Sequence, residues 1–322
     1  MQAALNIIGD DLKRVEQQFR KDLESDVPLI RKVGEYVLSS GGKRVRPALL
    51  LLAAQLSGYG GDKAVPLASV VEFIHTATLL HDDVVDSATL RRGLASANTL
   101  WGNEASVLVG DFLFSKSFSL MVAVGSLDIL RVLSGATTII AEGEVMQLLS
   151  TGELDLTEER YISVVRAKTA ILMSAACESG AILGSASSEK QRAMASFGMD
   201  LGIAFQLMDD TLDYIATEEE FGKSIGHDLE EGKITLPLIH TLKNCTDSER
   251  NTIAAVIEKD EMSLDDFREV SGLVKHYGGI EYTVASARSY ITTCRSTLND
   301  FDDSPVKDAL LELAEYVVIR NK

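Results

Sequence analysis

Only five prolines interrupt 322 residues, and between them apolar side chains recur at the three- and four-residue spacing of a helix. That pattern constrains the fold more than any other feature of the chain. Asp26 can cap a helix running to about Ser39, where Gly41-Gly42 breaks it. Pro47 fits a first helical turn, and Gly58 closes the helix that follows. Longer periodic stretches run from Lys63 to Val85, from Asn103 onward, and from Ser126 to Thr151. Thr157, with two glutamates behind it, opens a helix through Leu183, and Ser187 or Ser188 opens one reaching Ile215. Shorter helices follow: Leu236 to Lys243, Asp247 to Lys259, Ser263 to His276, Ile280 to Leu298 and Pro305 to Arg320. Ser263 with Asp266 has the form of a capping box. Short β-branched runs such as Val70-Val71 sit inside helical periodicity, so no sheet is expected. No Pro-, Gly- or Ser-rich linker divides the chain. The expectation is an all-α fold, one large helical bundle over residues 1–322, with long apolar helices at its centre.

A net charge of -17 excludes the basic face a nucleic-acid binder needs. The most apolar run, Ala48 to Ala54, falls far short of the ~20 residues a spanning helix requires, so no transmembrane segment is expected. The first residues lack the apolar core of a signal peptide, and three scattered cysteines show neither zinc spacing nor a disulfide framework. A cytoplasmic protein is the expectation.

The sharpest feature is Asp82-Asp83-Val84-Val85-Asp86 at the end of the Lys63–Val85 helix. Asp82 and Asp86 share a helix face, where like charges repel unless a cation sits between them. A second pentad, Asp209-Asp210-Thr211-Leu212-Asp213, lies 127 residues on and again closes an apolar helix. One such pentad is most simply a solvated acidic helix end. Two, each on an apolar helix, are costly without a metal. Facing each other across a bundle, they would form an all-oxygen site suited to Mg²⁺, and no His or Cys at ligand spacing argues for zinc. Mg²⁺ leaves positions for phosphate oxygens and reverses the local field of an acidic protein. Basic residues to complete a diphosphate site are at hand in Gly41-Gly42-Lys43-Arg44-Val45-Arg46-Pro47, Arg91-Arg92, Lys168, Lys223 and Lys233, although each alone reads more readily as a surface charge.

These three motifs, the Gly41–Pro47 run, His81 to Asp86 with Arg91-Arg92-Gly93, and Gln206 to Asp213, occur in the order found in the trans-isoprenyl diphosphate synthases. The chain resembles that family over nearly its whole length, and most resembles its bacterial long-chain branch. The resemblance implies the isoprenoid-synthase helical fold with a central cavity, usually as a homodimer, and an Mg²⁺-dependent prenyltransferase holding about two or three ions per site. It implies Asp82, Asp86 and Asp209 as metal ligands. Arg91, Lys168, Thr169 and Gln206 match positions that bind an allylic diphosphate. Lys43, Arg46, His75 and Arg92 match an isopentenyl diphosphate site, although His75 alone would read as a core histidine. Asp83, Asp210, Asp213, Lys223 and Lys233 are expected as supporting contributors.

The implied reaction is repeated 1′-4 condensation of isopentenyl diphosphate onto a farnesyl or geranylgeranyl starter, giving a product such as octaprenyl diphosphate for a quinone side chain. In this family the departing diphosphate is thought to take the proton. One turn before Asp82 stand Ala77 and Thr78, both small, which suits an open floor and a long product. Met121 and Leu133 are candidates for a deeper stop, and serve equally well as core. The alternatives are a medium-chain geranylgeranyl diphosphate synthase, a terpene cyclase, which would leave Lys43, Arg46 and Arg92 unexplained, and a non-catalytic subunit of a heteromeric synthase, which would ordinarily lack one pentad.

Overall fold

The structure is a computed structural model, and it describes residues 2–215, 226–259 and 261–319. Among these the chain is helical nearly throughout: α1 Gln2–Asp22, α2 Pro28–Ser39, α3 Val45–Leu56, α4 Ala64–Val85, α5 Ala97–Trp101, α6 Asn103–Val124, α7 Leu127–Ser150 and α8 Glu158–Val165. A π-helical turn, Arg166–Ala170, leads into α9 Ile171–Leu183, and α10 Ser188–Leu212 follows. The last third is α11 His227–Glu230, α12 Leu236–Asn244, α13 Asp247–Ile257, α14 Leu264–His276, α15 Gly279–Thr297 and α16 Pro305–Ile319. The all-α expectation holds.

Several caps stand where the sequence puts them. Thr157 accepts from the Arg160 N–H, and Ser263 and Asp266 form a reciprocal capping box at α14. A second box, Thr246 with Glu249, opens α13. Four features depart from expectation. Asp26 does not cap α2; Val27 occupies that position without a side-chain bond, and Pro28 starts the helix through its fixed φ. The N-terminal 21-residue helix α1 was not expected. Its apolar stripe of Ala4, Ile8, Val15 and Phe19 is buried at spacings of four and seven residues. The Thr157–Leu183 stretch is broken by the π turn. A two-residue hairpin is present, β1 Leu90–Arg91 paired antiparallel with β2 Leu94–Ala95 through a left-handed Arg92 and Gly93.

The transmembrane expectation also needs correction. α4 and α6, 22 residues each, are long and apolar enough to cross a membrane by length and composition, with mean hydropathies of 1.3 and 1.7 over their best windows. Scattered Ser, Thr and Gly hide this from a search for unbroken apolar runs. Two-thirds of the α4 window is buried within the protein, the signature of a core helix.

The chain divides into two compact units. The first comprises Met1–Thr138, Leu172–Gly198 and Arg295–Leu313. Its centre is α4, which packs against α1, α3 and α6. Phe19 and Phe73 meet at 4.2 Å between ring centroids within a cluster that includes Leu23, Val33, Ala77, Leu80 and Leu113. Each such large side chain contributes roughly 1.5–3 kcal/mol by leaving water. The second unit comprises Ile139–Ile171, Met199–Cys294 and Ala314–Lys322. In it α14 packs on α12 and α13, and α12 on α8.

Candidate active site

On the first unit, α4 ends in the first aspartate pentad. Asp82 and Asp86 are half-buried, while Asp83 is almost fully enclosed. The hairpin explains how a buried carboxylate is tolerated. It delivers Arg91, whose Nε and Nη2 both approach Asp83 Oδ1 at 2.6 Å, a fork-shaped pairing Lys could not make. Burial raises the Asp83 pKa, and Arg91 opposes that rise. Beside it, Arg92 donates to the Gly41 carbonyl. Arg46 Nη1 lies 3.1 Å from His75 Nε2. A guanidinium can only donate, so that ring nitrogen accepts and the proton is on Nδ1. Burial, followed by the charges of Arg46, Arg92, Arg91 and Arg44, pushes His75 well below its ordinary pKa and keeps it neutral. The first unit thus gathers Arg46, His75, Arg91 and Arg92 around a short loop that also carries Lys43, beside a helix end bearing three carboxylates.

The small residues below the pentad separate in role. Ala77 is fully enclosed in the cluster with Phe73 and Leu113, whereas Thr78 is half-buried and donates to the His75 carbonyl. Met121 on α6 and Leu133 on α7 are both buried, 1% and 0% exposed.

The second unit carries the other pentad at the end of α10. A cavity of about 130 Å³ is lined by Tyr161, Lys168, Thr169, Gln206, Asp210, Asp228 and Lys233, with apolar walls from Leu156, Val164, Val165 and Ile234. The π turn is what presents Lys168 and Thr169 there. Two glycines allow it: a Cβ on Gly143 would come within 2.9 Å of the Lys168 backbone nitrogen, and one on Gly202 within 2.5 Å of Ala170 Cα. Lys168 pairs with Glu144 at 2.7 Å. Thr169 donates to Gln206 at 2.9 Å, Gln206 donates to Asp210 at 2.7 Å, and the buried Tyr161 hydroxyl also donates to Asp210. Asp213 accepts from the backbone N–H groups of Gly226 and Asp228, tying down the chain after α10. Lys233 meets Glu231 at 2.5 Å. Lys223 lies outside the described residues.

Electrostatically the carboxylates of this unit are strained. Burial first, then the Asp228 charge, drives Asp210 well above the ordinary carboxylate range. Burial, with the Asp210 charge, likewise pushes Asp213 up against the backbone bonds it accepts, and burial with the Asp213 charge pushes Asp228 up. An all-oxygen donor set of this kind fits Mg²⁺. Among the described residues no three His, Cys, Asp or Glu side chains form a ready-made metal cage. That suits an ion whose shell is completed by water and phosphate oxygens.

Sequence reasoning missed Tyr161, Glu144, Asp228 and Glu72, and named Arg44 only as one base of the Gly41–Pro47 run. Glu72 had a signal: it is the lone acid between Ala64 and Leu80 in an apolar helix, where an acid requires a partner. The others depend on contacts between distant segments.

The profile described as Polyprenyl synthetase matches residues 27–274. Octaprenyl diphosphate synthase of Escherichia coli (strain K12) is 42% identical over 316 residues, 98% of each chain. The chain belongs to the polyprenyl synthetase family. Among solved structures, a decaprenyl diphosphate synthase from Rhodobacter capsulatus matches with a TM-score of 0.94 at 43% identity, covering 99% of this chain and 98% of that one. A polyprenyl synthase from Caulobacter crescentus CB15, complexed with calcium and isoprenyl diphosphate, matches at 0.95 and 40% identity, covering 100% and 98%. The chain therefore has the all-α isoprenoid-synthase fold and is a prenyltransferase, and its family catalyses trans-prenyl chain elongation. Polyprenyl synthetases are in general magnesium-dependent.

Proposed function

We propose that this polyprenyl synthetase is a long-chain trans-polyprenyl diphosphate synthase, extending a farnesyl or geranylgeranyl starter with isopentenyl diphosphate to a product of the octaprenyl class for a quinone side chain. The observation that carries the site assignment is the set of carboxylates at the second-unit cavity, buried Asp210 and half-buried Asp228 with neighbouring half-buried Asp213, each pushed toward its neutral form. Groups so placed are costly in a structural role and well suited to a cationic, phosphate-bearing ligand.

Asp82 and Asp86 of the first unit and Asp209 of the second are assigned as ligands of two or three Mg²⁺ ions, about the number a diphosphate leaving group requires. When bound, the ions neutralise the departing diphosphate. The side chains do the rest. Arg91, Lys168, Thr169 and Gln206 are assigned to the allylic diphosphate, so that positive charge and donors meet its oxygens as the C–O bond ionises. Lys43, Arg46, His75 and Arg92 are assigned to isopentenyl diphosphate. Neutral His75 suits that role as a polar contact that adds no further charge to an arginine-rich pocket. The double bond of isopentenyl diphosphate attacks the allylic cation, and the departing diphosphate takes the proton. Apolar walls exclude the water that would quench the cation. Asp83, Asp210, Asp213, Lys223 and Lys233 support these contacts. Ala77, Thr78, Met121 and Leu133 are assigned to chain length.

We read residues 1–322 as one synthase domain, since the family profile runs through both units. A homodimer is supported by exposed apolar residues on two long helices, Leu108 and Val122 on α6 and Leu127, Val145, Leu148 and Leu149 on α7, each more than half exposed. Three free cysteines suit a reducing, cytoplasmic setting.

Purified protein with Mg²⁺, farnesyl diphosphate and labelled isopentenyl diphosphate tests the reading, with product length read by mass. Products that stop at the geranylgeranyl length would replace it with the medium-chain alternative, and no turnover by the purified chain would favour a subunit of a heteromeric synthase.

A further inference from the structure

We infer that Arg44, braced against Glu72, is a positioning residue that sets the isopentenyl diphosphate loop; this rests on the assignment of Lys43 and Arg46 to that substrate. Arg44 has left-handed backbone, φ 49° and ψ 36°, immediately before α3. Two glycines stand just ahead of it in the same loop, and glycine would adopt this conformation without strain. An arginine kept in a conformation disfavoured for side chains implies that its side chain is required there.

The side chain is nearly enclosed, 14% exposed, and reaches three separate elements. Nη1 meets Glu72 of α4 at 2.6 Å, Nη2 donates to the Leu38 carbonyl at the end of α2 at 2.7 Å, and Nε approaches Glu16 of α1 at 3.3 Å. Glu72 is itself 5% exposed, so the pair is buried and neither partner is readily lost. Along the loop, Lys43 is exposed, Arg44 turns inward and Arg46 lies against His75. The guanidinium thus clamps the backbone between the two assigned diphosphate-binding cations to three fixed helices. Only a planar fork with five donors serves three acceptors in different directions. Arg44 also adds positive potential at His75 and Arg92.

The test uses the full-length protein and initial rates of isopentenyl diphosphate incorporation, varying each substrate at saturation of the other. In Arg44→Gln the charge-assisted bonds are lost, and the KM for isopentenyl diphosphate should rise about ten- to a hundredfold, with the KM for farnesyl diphosphate and kcat little changed. Arg44→Lys keeps the charge but not the fork and should give a smaller rise of the same kind. An unchanged KM for isopentenyl diphosphate in either folded variant, or equal rises for both substrates, overturns the inference. Should Arg44→Gln fail to fold by circular dichroism, Arg44→Lys decides by the same criteria. Lys43→Ala separates the two levels of the argument. If it leaves the KM for isopentenyl diphosphate unchanged, the site assignment fails and the inference with it. If it raises that KM while the Arg44 variants do not, the positioning role alone fails.

Discussion

Removing one oxygen from Tyr161 isolates what opposes the neutralisation of Asp210 in the second aspartate pentad. The Tyr161 hydroxyl is buried and donates to Asp210, which has Gln206 as a second donor at 2.7 Å. Burial and the Asp228 charge raise the Asp210 pKa, and the bonds from Tyr161 and Gln206 pull it back down. Tyr161→Phe therefore moves Asp210 further toward the neutral acid, next to Asp209, an assigned metal ligand. A hydrogen bond to a charged group contributes about 1.5–3 kcal/mol, so ionised Asp210 loses roughly ten- to 150-fold in relative population. The half-saturating Mg²⁺ concentration should rise toward that factor, measured by isopentenyl diphosphate incorporation at saturating substrates and fixed pH. The sign extends to pH: alkaline buffer favours the ionised acid and should partly restore the variant. Circular dichroism and thermal melts confirm that the fold persists. A Mg²⁺ titration that superimposes on wild type at neutral and at alkaline pH refutes the reasoning, because the hydroxyl would then contribute nothing to the charge state of Asp210.

Asp82→Ala should lower turnover by orders of magnitude with helical content unchanged; near-normal rates would defeat the metal assignment. Ala77→Tyr should shorten the products and, because Ala77 is fully enclosed in the α4 cluster, cost about 1–3 kcal/mol by overpacking; mass spectra of dephosphorylated products and urea midpoints read the two effects separately. His75 is held neutral in the folded state well below its ordinary pKa of 6.5, so below that pH the unfolded chain binds the extra proton and stability falls as pH drops. His75→Gln should flatten this fall between pH 7.5 and 5.5 in urea titrations, and an identical slope would show that His75 is not the group responsible. Gly202→Ala places a Cβ 2.5 Å from Ala170 Cα, so the roughly 0.5–1 kcal/mol gained in helix propensity should be outweighed and the melting temperature should drop along with kcat; an unchanged kcat would remove the case that this contact positions Lys168 and Thr169.

What could be read from the chain and what could not divide along a physical line. Features set within one or two turns were legible: the capping box at Ser263 and Asp266, the Thr157 cap, and the two pentads ending apolar helices. Features set by contact between distant segments were not. The π turn gives no local signal, since its backbone is shaped by Gly143 and Gly202 on other helices. Tyr161 reads as one apolar position among several on α8 until Asp210, 49 residues away, is placed against its hydroxyl. The hairpin is two residues a strand, too short for any period, yet it delivers the arginine that permits Asp83 to be buried. The same division bears on function. The motifs supply most of the residues assigned above to metal and diphosphate, mainly at exposed or half-buried ends of helices and loops. The residues proposed to set the charge and placement of those groups lie deeper: Tyr161 and Glu72 are buried and Asp228 is half-buried, all three outside the motifs, while Arg44 stands inside the first motif with its side chain turned inward. Substrate class is therefore readable from the motifs, whereas substrate affinity and metal requirement should respond most to changes in these supporting partners, whose contacts the sequence does not show.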